Sequence, residues 1–169
     1  MRKYEIKKLK KYRGHEGEPL FQGELYCDGK KVAFIGDGDW GGPMVIDFFG
    51  NKEDETACIE WSKTQPSDFD NIGPRTYEDK RTQKQKDYAR FEFVLGDLLN
   101  QELKIKEAKS LKNKKRPVMF VVKGKNCIRQ SSVPNGTDPQ EVRDYFQNKY
   151  GEDITFLSDM TIEQIIEVM

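Results

Sequence analysis

The 169 residues suffice for a single domain, 1–169, with room for 117–169 to form a semi-independent C-terminal lobe. Charged residues make up 34% and apolar ones only 36%, yet the 11% of aromatic side chains supplies bulky core material, which excludes a disordered chain. The formal net charge of zero excludes a uniformly basic or acidic binder, and no apolar run is long enough to cross a bilayer.

The three cysteines, Cys27, Cys58 and Cys127, are far apart and form no C-x-x-C pair. They read as reduced thiols of a cytoplasmic protein, each a small apolar filler. The opening Met-Arg-Lys-Tyr-Glu-Ile-Lys-Lys lacks the apolar segment of a signal peptide, so none is expected. The neutral total hides sorted charge. Residues 1–13 and 104–116 are basic, and the stretches 14–72 and 138–169 are acidic. Either these segments neutralise one another in the fold, or the basic ones form an exposed patch.

Tyr4–Tyr12 alternates apolar and polar residues but breaks phase between Ile6 and Leu9, which predicts a lysine-guarded edge strand with a bulge. A polar turn follows to Pro19, then a strand over Leu20–Cys27. Asp28-Gly29 is a strong hairpin signal and returns the chain into Lys31–Ile35. A loop rich in glycine leads to a further strand, Met44–Phe49. These strands predict an antiparallel meander.

Asn51 is a cap for a helix to about Thr64, with Glu53, Asp54 and Glu55 at its positive end. Gln65–Arg75 is a loop. From about Thr76 to Leu111 the spacing of Tyr88, Phe91, Leu95, Leu98 and Leu99 predicts a long amphipathic helix, with Gly96 as a point of close packing. Its basic end stops at Pro117. Val118–Val122 reads as a buried strand, with Cys127–Gln130 pairing back as a hairpin. Asp138-Pro139 starts a helix that Gly151 ends. Ile154–Leu157 is a short strand, and Thr161 caps a last helix. Hairpins with segregated helices predict the α+β class: an N-terminal meander packed with a long helix, then a C-terminal β-hairpin with two helices.

Three chemistries compete for the candidate site. Asp37, Asp39 and Trp40 stand on the 36–43 loop, and Phe69 lies on the loop after the first helix. Large aromatics on loops mark a partner surface, whereas Trp61, on a helix, reads as core. Basic and aromatic residues interleave at Lys7, Lys8, Lys10, Lys11 and Arg13, again at Lys84 and Lys86, and return at Lys112, Lys114, Lys115 and Arg116. Such groups neutralise phosphate backbones, although a solvated helix face is the commoner use of lysine. Asp37, Asp39 and Asp47 form the candidate carboxylate set for a metal-dependent hydrolase, with His15, in the turn before Pro19, as a further candidate ligand or base that is more often surface decoration. A calcium loop fails, because Gly41 and Phe48 stand where its next ligands belong. The loop runs into a strand and is acidic, which argues against a phosphate cradle. No serine or cysteine nucleophile motif is present, so no catalytic residue is assigned and no cofactor is implied.

The overall texture, small and rich in lysine and glutamate, resembles that of many proteins of bacteria, phages and mobile elements. The leading expectation is a non-enzymatic cytoplasmic binding protein that engages a protein or nucleoprotein through the 36–43 loop and adjoining charge. A nucleic-acid binder and a metal-dependent hydrolase are the alternatives.

Overall fold

The computed structural model describes residues 2–38, 42–50, 52–67, 69, 81–125 and 127–169. Asn51, Asp39, Trp40, and the chain from 70 to 80 where the long helix was expected to begin, lie outside the described residues. The fold is α+β. Strands β1 (Tyr4–Arg13), β2 (Pro19–Cys27), β3 (Lys30–Gly38) and β4 (Gly42–Phe48) come first, then helices α1 (Lys52–Lys63) and α2 (Gln83–Lys112). Strands β5 (Val118–Val122) and β6 (Arg129–Ser131), helix α3 (Pro139–Tyr150), strand β7 (Ile154–Phe156) and helix α4 (Ile162–Val168) complete the chain. The chain divides into two compact units, Met1–Gln101 and Glu102–Met169, the division falling within α2. Among the described residues, no helix is long and apolar enough to cross a membrane.

In the N-terminal unit the four strands form an antiparallel meander in the order β1-β2-β3-β4. The phase break in β1 is a bulge between Lys7 and Lys10, and Lys8 there has φ 51°. The β2–β3 turn places Asp28 and Gly29 at φ 47° and 82°, the left-handed pair that a two-residue hairpin requires. Register sets Tyr4 and Ile6 opposite Cys27 and Leu25, and all four are buried. Phe91, Val94, Leu95 and Leu99 of α2 are buried at the expected helical spacing. Phe91 meets Phe48 at 6.2 Å and Tyr88 at 6.1 Å between ring centroids. Trp61 lies against Tyr4, with ring centroids 4.2 Å apart and the planes tilted by 31°.

Helix α2 begins at Gln83 because Thr82 and Gln85 form a reciprocal cap. The Thr82 amide donates to Gln85 Oε1 at 2.8 Å, and the Gln85 amide donates to Thr82 Oγ1 at 3.3 Å. Gly96 differs from expectation, since among the described residues a Cβ built there meets nothing within 4 Å. The glycine marks open space, not close packing.

In the C-terminal unit β5 is the central strand of a three-stranded antiparallel sheet, β6-β5-β7. Alternation splits its apolar residues between two cores. Val118 and Phe120 join Ile154, Phe156, Val142 and Phe146 on the α3 side. Met119 and Val121 pack against Ala108, Leu157, Met160 and Ile165 on the other. An apolar residue at every position of Val118–Val122 is what a strand covered on both faces needs. Asp138 caps α3 as expected, its carboxylate accepting from the Gln140 amide at 2.9 Å, and Gly151 closes the helix at φ 59°. Thr161 and Gln164 form the capping box of α4.

Cys27 and Cys58 are buried fillers, but Cys127 is exposed. The neighbouring Ile128 takes the inward position against the Ala108–Ile165 core.

Candidate functional site

Asp37 sits near the end of β3, opposite the start of β2, and accepts the Phe21 amide on Oδ2 at 2.7 Å. Burial raises its pKa, and that hydrogen bond partly offsets the shift. The carboxylate thus stands in for a backbone acceptor and closes the sheet locally. Phe69 is half-buried, with its ring 5.8 Å from Phe93. Asp39 and Trp40 lie outside the described residues. Asp47, opposite Phe34 in the β3–β4 ladder, is exposed. Among the described residues no three His, Cys, Asp or Glu side chains gather as a metal site. His15 is exposed in the β1–β2 turn.

In the first basic cluster Lys7 and Lys8 are engaged in ion pairs. Glu5 takes Lys3 at 2.6 Å and Lys7 at 3.1 Å. Glu24 takes Lys31 at 2.8 Å and Lys8 at 3.2 Å, and also accepts the Tyr26 hydroxyl at 2.9 Å. Lys31, with help from Tyr26 and Lys8, holds the Glu24 carboxyl down at about 2. Lys7 also lies over the Tyr26 ring at 4.8 Å, and Lys31 over Phe49 at 4.1 Å. Lys10, Lys11 and Arg13 remain on the exposed part of β1 beyond the bulge. Of the second cluster, Lys84 is exposed and Lys86 half-buried, both in the first turn of α2.

The third cluster is arranged differently. Lys112, Lys114 and Lys115, at the end of α2 and just past it, line a cavity of about 570 Å³. Arg143, a full turn into α3, lines the same cavity, with Asn113, Gln140 and Ser158. The Arg143 guanidinium is firmly held. It donates to Ser158 Oγ, pairs with Asp159 Oδ2 at 2.7 Å and stacks 4.3 Å from the Phe156 ring centre. Its Nε is buried without a hydrogen-bond partner. Lys112 donates to the Met160 carbonyl at 2.6 Å. Arg116 is exposed and bonds the Thr137 carbonyl at 2.7 Å, tying the entry of α3 to the end of the basic run.

Arg143 is the residue that sequence reasoning passed over. It lies in an acidic stretch, and no local spacing links it to Lys112–Lys115; only the return of α3 against β5 brings them to one cavity. The arrangement sets cationic side chains around one space, which chemically suits an anion. The fold defines the class, an α+β protein of two units. No family model, curated protein or solved structure matches the chain.

Proposed function

We propose that this chain is a non-enzymatic cytosolic binding protein whose partner is single-stranded nucleic acid or a nucleoprotein that presents it. The supporting observation is the grouping of Lys112, Lys114, Lys115 and Arg143, from two separated segments, around one cavity of the C-terminal unit. Lysines merely serving a helix C-terminus need no such companion from another helix. Two acids stand by these cations: Asp138 lines the cavity with its carboxylate accepting the Gln140 amide, and Asp159 pairs with Arg143, so Lys112, Lys114 and Lys115 carry the excess positive charge. Cationic side chains displace the counterions condensed on phosphates, and that release drives association. The lysine- and glutamate-rich texture fits a bacterial or mobile-element source.

The reading that uses the expected 36–43 loop has less behind it, because residues 36–38 belong to β3 and 42–43 to β4, with Gly38 paired to Gly42. Asp37 is taken up by the Phe21 amide, and the Phe69 ring lies against Phe93. The basic rim therefore carries the proposal.

Fluorescence anisotropy of a labelled single-stranded oligonucleotide, and of the matching duplex, tests it with the full chain. The expected result is binding of the single strand at low salt, weakening steeply as salt rises. Failure to bind either probe at low salt rejects the proposal.

A further inference from the structure

The cavity's walls are of two kinds. Val118 and Leu157 are buried, with Leu111 and Met119 half-buried beside them, whereas Lys114 and Lys115 are exposed. Covered apolar side chains and exposed cations thus share one cavity, with Lys112 and Arg143 half-buried between them. The volume of about 570 Å³ falls within the usual range for small-molecule sites. A bare phosphate would leave most of that space and the whole apolar floor unused. A ligand that uses both needs a body with apolar faces and an anionic end.

The lining also carries amides. Gln140 donates its NH₂ to Asp144 Oδ1 at 2.7 Å, which fixes the side chain and leaves its carbonyl oxygen as an acceptor. Asn113 is exposed at the end of the basic run. Side-chain amides are suited to the donor and acceptor edges of a nucleobase. Pinned by Ser158 and Asp159, Arg143 is placed before any ligand arrives, so little side-chain freedom is lost on binding.

Resting on the nucleic-acid reading of this rim, we infer that the cavity is a socket for a nucleotide bearing a terminal phosphomonoester. Its base lies over Leu111, Met119 and Leu157, and its phosphate meets Lys112, Lys114 and Arg143. A nucleotide in mid-strand is tethered on both sides and enters such a cavity poorly. A terminal one enters freely, and its phosphomonoester carries close to two charges where a diester carries one. The same chemistry has two sources, a free nucleotide and the phosphorylated end of a strand.

The test uses the full chain and three probes: a 3′-labelled single strand with a 5′-phosphate, the same strand with a 5′-hydroxyl, and a nucleoside monophosphate as competitor. Two variants accompany it. Gln140→Trp fills the mouth from an exposed position, and Lys114→Ala/Lys115→Ala removes charge; a thermal melt of each checks folding. The 5′-phosphate is expected to tighten binding at least about tenfold, the effect of one or more charge-assisted contacts. Gln140→Trp should erase that preference, and the double lysine variant should weaken both strands. Equal binding of the two strands, unmoved by Gln140→Trp, overturns the socket while leaving the nucleic-acid reading intact. Binding of the monophosphate with no binding of either strand upholds the socket and overturns that reading. Absence of binding by all three probes overturns both.

Discussion

Replacing Asp37 separates a structural carboxylate from a surface one. Its Oδ2 accepts the half-buried Phe21 amide at 2.7 Å. In Asp37→Ala that donor loses its partner in a setting that water reaches poorly, which costs about 1–3 kcal/mol. Asp37→Asn keeps a carbonyl oxygen for the same amide and sheds the charge. Burial raises the folded-state pKa of Asp37 above its ordinary value, so the folded state holds the proton more tightly than the unfolded chain. The stability this confers is full at low pH and lost as pH rises through the folded pKa. At neutral pH, Asp37→Asn should therefore match or exceed the wild type, and its advantage should shrink on acidification through the carboxylate range. Urea unfolding followed by tryptophan fluorescence is the assay, because Trp61 belongs to the N-terminal unit and no tryptophan occurs after it in the sequence. An Asp37→Ala midpoint that coincides with the wild type refutes the structural assignment.

Gly96→Ala should raise the urea midpoint by an amount equivalent to about 0.5–1 kcal/mol, since among the described residues a Cβ there meets nothing within 4 Å and glycine weakens a helix interior; a lower midpoint would mean an unseen clash. Glu24 should titrate near pH 2 by NMR of its carboxyl carbon, held down first by Lys31. Because its folded pKa lies below the ordinary value of 4.5, its contribution is present above that value and lost as pH falls towards 2. Lys31→Met should move the midpoint up, and an unmoved midpoint contradicts the ion pair. With a thiol-reactive chromogen, Cys127 should react at once and Cys27 and Cys58 only on unfolding, because the latter two are buried and burial pushes the Cys58 thiol up to about 11. Cys127→Ser should remove the fast phase, and its persistence would place another thiol at the surface.

Where one residue type has one local solution, the sequence was legible. The phase slip between Ile6 and Leu9 became the bulge at Lys8, Asp28-Gly29 the left-handed hairpin turn, and Asp138-Pro139 and Thr161 the two helix caps. The unbroken apolar run 118–122 became a strand between two cores. Residues whose role depends on a distant neighbour were not legible. Gly96 looks the same in sequence whether a partner presses on it or not, and among the described residues none does. Asp37 reads as a loop carboxylate until the register of β2 and β3 brings the Phe21 amide against it. Cys127 gave no sign that Ile128 would take the inward place. For the site, Lys112, Lys114 and Lys115 were readable as a basic run, while Arg143 joined them only through the packing of α3 on β5.

The salt dependence of single-strand binding, wild type against Lys114→Ala/Lys115→Ala, bears most directly on the basic rim. Each phosphate contact contributes about 0.7 to the slope of log affinity against log salt for a single strand. The double variant should therefore bind more weakly at low salt, with a slope shallower by about 1.4. Identical slopes and affinities in the two proteins would contradict contact between this rim and phosphate.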